Sequence, residues 1–248
     1  MFSHGFGCDQ NMWRRVEPHF RAGATTVLFD LVGAGRSDTA AWSAERYASL
    51  QGHADDVNAL CEALQLGPVV FVGHSVSAMI GALAARARPD LYAHLVMVCP
   101  SPRYIDDGAY RGGFEARDID ELLDLLDINH LEWSAAISPV LMPESERAEE
   151  WVQSFCETDP AISRHFGRVV FTSDHRADLP EVGTPTLVLD CTLDALSPPD
   201  VGDYVTRALP RAERITLDAA GHCPHVTHPE ATVAAIRRYL APTLSVAA

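Results

Sequence analysis

Residues 68–81, PVVFVGHSVSAMIG, constrain the fold more than any other stretch of the chain. After Pro68, the run Val69–Val72 is β-branched and aromatic, as a buried parallel strand requires. From Ala78 to Arg88 the sequence is Ala-rich and helix-favouring, and it halts before Pro89. Only Gly73-His74-Ser75-Val76-Ser77 lies between the two. The chain must therefore turn sharply at Ser75, which strains the backbone and leaves the serine hydroxyl exposed at a helix N-terminus. There the helix dipole and the free amides favour developing negative charge. Strand and helix backbones pass close together at such a turn, so the flanking residues must be small. Glycine is usual at the last position of a G-x-S-x-G turn; Ser77, still small, is read as a tolerated variant.

A strand–serine–helix turn is the nucleophile elbow of the α/β-hydrolase fold, and the remaining chain has the matching rhythm. Strand-like segments Thr25–Phe29, His94–Cys99, Thr186–Asp190 and Ile215–Leu217 alternate with helical ones. Ala54–Leu66 carries Val57, Leu60, Cys61 and Leu64 on one helical face, and Ala231–Leu240 reads as a closing helix. Alternation of this kind predicts a mostly parallel sheet with helices on both faces. Between Pro100 and His175 the rhythm breaks. Helical runs such as Ile119–Leu126 and Glu146–Phe155 dominate there, and Val169–Phe171 reads equally as strand or helix. The expected organisation is a hydrolase core from residues 1–100 and 176–248, with residues 101–175 forming an inserted helical lid.

Composition excludes several function classes. At 248 residues the chain suits one enzyme-sized α/β domain. With 19 basic and 34 acidic residues its formal charge is −15, and no basic cluster exists to meet nucleic-acid phosphates or an anionic membrane surface. Six cysteines are scattered without C-x-x-C spacing, which suggests reduced thiols rather than disulfides or zinc. No long apolar run and no signal-peptide pattern is present at the start, so a cytoplasmic protein without a membrane span is expected.

A serine hydroxyl needs a histidine base, a carboxylate to fix the imidazole tautomer, and amides to hold an oxyanion. In this fold the acid and base should follow the serine in that order, on loops after late strands. Asp194 lies four residues beyond the strand Thr186–Asp190 and is preferred as the acid. Asp190 ends the strand and is read as structural, and Asp200 as the cap of the next helix. His222, in Gly221-His222 after the strand Ile215–Leu217, is the expected base. His225 and His228 follow at spacings of three, but Pro224 and Pro229 interrupt any helix that would align them as metal ligands. No metal and no cofactor is expected. His4-Gly5-Phe6-Gly7 completes the set, with the Phe6 and Val76 amides as the expected oxyanion donors.

The segments HGFGCDQNMW (4–13), FDLVGAGRSD (29–38), FVGHSVSAMIG (71–81), PSPRYIDD (100–107), GGFE (112–115), TSDHR (172–176) and GHCPHVTHPE (221–230) resemble the RsbQ-type α/β-hydrolases, relatives of the karrikin and strigolactone receptor hydrolases. The resemblance covers nearly the whole chain. It implies a Ser-His-Asp triad under a lid of four helices enclosing a closed, apolar pocket, with Phe6, Phe114, Trp133, Ile137 and Phe171 along its wall. About twenty residues normally precede the HGFG segment in that family. Here Met1-Phe2-Ser3 do, so the N-terminal edge strands are expected to be missing and a sheet edge left open. Ser77, in place of the family's glycine, is expected to narrow the pocket floor. Two functions follow: hydrolysis of a small, largely apolar ester or lactone, or ligand sensing of the RsbQ type in a stress response, with slow hydrolysis and a regulatory phosphatase as partner. Epoxide and haloalkane hydrolases carry aspartate where Ser75 stands and are excluded.

Overall fold

The computed structural model describes residues 1–244. Six strands, β1 (Phe2–Ser3), β2 (Leu28–Phe29), β3 (Val69–His74), β4 (Tyr92–Val98), β5 (Thr186–Leu193) and β6 (Ala212–Ala220), form one parallel sheet in the order β2-β1-β3-β4-β5-β6. The chain runs outward from β1 to β2, then returns to lay β3 on the other side of β1. That reversal makes a topological switch point, and the crevice beyond the carboxyl ends of such strands is where ligands bind in open α/β sheets. Ser75 follows β3 at that point, and the His4–Gly7 segment follows β1.

Alternation along the strands divides the core into two layers. Phe71, Leu95, Met97 and Val188 face α1 (Gln51–Ala63), α2 (Val76–Ala87) and, further on, α7 (Pro199–Ala208). Val72, Val96, Val98, Leu187 and Leu189 face Trp13 and the last helix, Pro229–Leu244. Between β4 and β5 come four helices, α3 (Ala116–Ile128), α4 (His130–Leu141), α5 (Ala148–Glu157) and α6 (Pro160–Thr172); α4 packs against both α3 and α5, and α3 against α6. Among the described residues no helix is long and apolar enough to cross a membrane.

Several boundaries differ from the sequence reading. β2 comprises only Leu28–Phe29, not Thr25–Phe29, because its partner β1 offers just Phe2 and Ser3 for pairing. β6 runs from Ala212 to Ala220, well beyond Ile215–Leu217, because it pairs with β5 along nearly all of that strand. Val169–Phe171 lies inside α6, whose amphipathic face buries Ile162, Val170 and Phe171. Asp200 sits in the first turn of α7 and does not cap it; Pro198 holds the cap position. β1 lies between β2 and β3, so β2 forms one edge of the sheet.

Candidate active site

Ser75 lies between β3 and α2 at φ 56° and ψ −121°, a left-handed conformation that L-residues rarely adopt. The crowding that sets this turn is visible at Gly73, where an added Cβ would come within 2.4 Å of the Ser77 carbonyl oxygen. On the other flank, a Cβ on Gly5 would lie 2.5 Å from His74 Nδ1 and 3.3 Å from Ser75 Cβ. The HGFG backbone therefore runs directly alongside the serine. Ser77 does not reach the pocket floor. Its hydroxyl turns away, donating to the His4 carbonyl at 2.5 Å and lying 2.8 Å from Ser3 Oγ, and so pins β1 to the elbow.

Asp194 is placed by β5. A shift in register between Cys191 and Leu193 re-aims the chain just before it. Its Oδ1 accepts from the backbone N–H groups of Leu196 (2.9 Å) and Ser197 (3.1 Å), and its Oδ2 lies 2.7 Å from His222 Nδ1. Because a carboxylate only accepts, Nδ1 carries the ring proton and Nε2 is left to accept from Ser75 Oγ at 2.8 Å. All three side chains are buried. His222 is held from a second direction, its backbone N–H donating to the Leu141 carbonyl at the end of α4 (2.7 Å). Asp190 points elsewhere and pairs with Arg214.

Aromatic rings from the four-helix insertion close over the serine. The Phe6 ring packs edge-on against Trp133, Phe155, Phe166 and Phe171 at centroid distances of 5.6–6.1 Å. The space left beside Ser75 is a cavity of about 20 Å³, bordered by Phe6, Trp133, Ile137 and Phe171 together with Tyr104 and Trp151. Phe114 is not among the residues that border it; its ring stands against Tyr104, at a centroid distance of 6.5 Å. Composition and spacing did not single out Tyr104 or Trp151. Tyr104 lies in the PSPRYIDD segment, and Trp151 shares an apolar helix face with Phe155 four residues on, the only sequence signal either gave. Burial pushes the Tyr104 phenol up to about 12, an effect partly offset by the neighbouring Ser75 side chain. Larger hollows exist beside Asp30 and His53 (about 480 Å³) and beside Met1 and Phe20 (about 420 Å³), but in neither is a lining serine hydrogen-bonded to a histidine; Ser37, in the first, donates to the Asp30 carbonyl.

The three histidines of the 221–230 segment do not converge. His225 stacks on Trp13 and lies against His74, while His228 is bonded to Thr227. The donor atoms of Cys99, Asp194 and His222 do lie within 4.8 Å of one another. A cation there would have to break the hydrogen bonds of His222 and deprotonate a thiol that burial pushes well above its ordinary range. Burial also raises the Cys223 thiol, which makes it a poor nucleophile.

The sequence profile of the Alpha/beta hydrolase family matches residues 1–235. The chain belongs to that family. This hydrolase is 34% identical over 244 residues to a probable esterase of Oryza sativa subsp. japonica, covering 97% of this chain and 90% of the relative. It is 33% identical over 235 residues to a strigolactone esterase of Pisum sativum, covering 92% of this chain and 87% of the relative. Among solved structures, a hydrolase from Oleispira antarctica superposes with a TM-score of 0.94 at 37% identity, covering 96% of this chain and 89% of the other.

Proposed function

We propose that this hydrolase cleaves a small, largely apolar carboxylic ester or lactone, with Ser75 as nucleophile, His222 as general base and Asp194 as the carboxylate that orients it. The observation that carries the reading is the unbroken hydrogen-bond chain from Ser75 Oγ through His222 to Asp194. Ser75 attacks the carbonyl carbon while its proton passes to His222 Nε2. The resulting oxyanion is held by the Phe6 and Val76 amides, Val76 carrying one of the N–H groups that a helix leaves unpaired at its N-terminus. His222 then returns the proton to the leaving alkoxide, and water repeats the sequence to release the acid.

The substrate class follows from the walls. Phe6, Trp133, Ile137 and Phe171 offer apolar surface, so a neutral acyl group gains by leaving water at about 25 cal/mol per Å². A cavity of about 20 Å³ holds little more than one water. The rings of the four-helix insertion, with residues 101–175 acting as a lid, must give way even to a short acyl chain. A fluorophosphonate probe should label Ser75 alone, and Ser75→Ala should abolish p-nitrophenyl acetate turnover. Full turnover in that variant would end the proposal.

A second reading is ligand sensing of the RsbQ type, in which hydrolysis is slow and a protein partner such as a phosphatase is recruited. Support comes from the same closed cavity, which makes access rather than chemistry the limiting step. A relative 34% identical over 244 residues, spanning 97% of this chain and 90% of its own length, is named a karrikin insensitive receptor in Petunia hybrida. A single acyl-enzyme turnover followed by release slower than lid opening would favour it.

A further inference from the structure

Two consecutive residues of α5 grip the segment that carries the Phe6 amide. Trp151, fully buried, donates its indole Nε1–H to the Phe6 carbonyl oxygen at 3.3 Å. Glu150 receives both Arg15 nitrogens at 2.7 and 2.9 Å, and Arg14 at 2.5 Å. Contact at the next peptide is tighter still. Gly7 has φ +71°, and a Cβ there would come 2.6 Å from the Phe155 ring and 2.9 Å from the Trp151 indole. The loop backbone thus lies directly against the α5 rings, with no room for a side chain between them.

The Phe6 N–H and C=O belong to adjacent peptides hinged at one Cα; with the Phe6 ring wedged among Trp133, Phe155, Phe166 and Phe171, holding the carbonyl restricts the rotation about that hinge that would swing the amide away. We infer that Trp151 is a positioning residue: its indole N–H orients the Phe6 amide toward the oxyanion, so that seating α5 completes the oxyanion hole as well as covering it. The inference rests on the proposed Ser75 hydrolysis and adds a division of labour to it. Seating of α5 then acts on the transition state more than on the ground state, because the amide matters most when negative charge has developed on the carbonyl oxygen. A ring that only filled space would act on binding and on stability instead.

The two roles separate in a variant that keeps the ring and loses the N–H. Replacing Trp151 with β-(3-benzothienyl)alanine substitutes sulfur for the indole N–H at nearly the same shape; Trp151→Phe is the encoded counterpart. With p-nitrophenyl acetate, both should lower kcat about 10- to 100-fold, part of the loss expected when an oxyanion donor is removed. KM should move less than threefold, and the pH profile of kcat should keep its shape because His222 and Asp194 are untouched. Inhibition by a boronic acid, which places an oxygen in the same hole, should weaken by a similar factor. An unchanged kcat in the folded benzothienyl variant, with Ser75→Ala inactive alongside it, would overturn the inference and leave the hydrolase reading standing. Activity surviving in Ser75→Ala would instead overturn the hydrolase reading itself.

Discussion

Replacing Asp194 with asparagine tests the hydrogen-bond chain through an argument the geometry makes quantitative. The carboxylate accepts three hydrogen bonds, one from His222 Nδ1 on Oδ2 and two from the Leu196 and Ser197 backbone on Oδ1. An asparagine can accept on one side only. If its oxygen serves the two backbone donors, its NH₂ faces His222, the ring proton must move to Nε2, and the imidazole can no longer accept from Ser75. If it flips, the NH₂ opposes two buried backbone donors, each unsatisfied at about 1–3 kcal/mol. The productive orientation is then disfavoured by about 2–6 kcal/mol, which at 1.36 kcal/mol per decade is a loss of about 30-fold to 3 × 10⁴-fold in kcat. The upper end meets the loss of about 10⁴ caused by the same tautomer error in a serine protease. Steady-state hydrolysis of p-nitrophenyl acetate measures it, with KM expected to hold. Asp190→Asn is the control: it disturbs the buried Arg214 pair and should lower the melting temperature while sparing kcat. Retention of more than a tenth of native kcat in Asp194→Asn, or a folded Asp190→Asn that is catalytically crippled, would refute the assignment.

Acid should destabilise the fold through its buried imidazoles. Burial depresses His53 to about 4 and His225 to about 3, below the ordinary value of 6.5, so their contribution is intact above pH 6.5 and is lost as pH falls toward those folded-state values. Each such group steepens the stability slope by about 1.4 kcal/mol per pH unit between the two limits. Chemical denaturation of His225→Leu between pH 6 and 4 should show a slope shallower by about that amount, and an identical slope would dismiss the role of His225. Trp133→Ala, removing an indole stacked 4.9 Å from Phe155, should lower stability by about 3–5 kcal/mol and leave room for a group roughly the size of benzene. The native protein should prefer C2–C4 over C10–C16 p-nitrophenyl esters and the variant should gain C6 and benzoyl esters. A native preference for the long chains, unaltered in the variant, would mean an open groove.

Ser75, Asp194 and His222 could be read ahead of the structure because each is tied to a local event that sequence records: a strand meeting a helix, a strand ending, a glycine before a histidine. Their convergence then follows from parallel strands whose carboxyl ends share one edge. Phe6, Trp133, Ile137 and Phe171 border the cavity where the resemblance placed them, but Phe114 does not. A residue's place on the wall depends on how four inserted helices cross, and no local pattern encodes that. For the same reason no local pattern points to Trp151, since its partner Phe6 lies 145 positions away in the chain. The direction of the Ser77 hydroxyl was equally hidden. Serine was read there for its size, whereas its hydrogen bonds to Ser3 and His4 decide what it does. Strand lengths failed for a related reason: β2 and β6 end where their partners end, and a partner strand is not visible in the segment itself.

The left-handed backbone at Ser75 carries a consequence for how such a protein can change over time. A non-glycine residue held there costs on the order of 1–3 kcal/mol, a sizeable share of the 5–15 kcal/mol by which a domain outlives its unfolded state. Glycine at 75 would relieve the strain and discard the hydroxyl in one substitution. A lineage no longer selected for the proposed turnover is thus offered extra robustness at the position of the proposed nucleophile. Under the proposed mechanism, stability and chemistry therefore pull in opposite directions at this position.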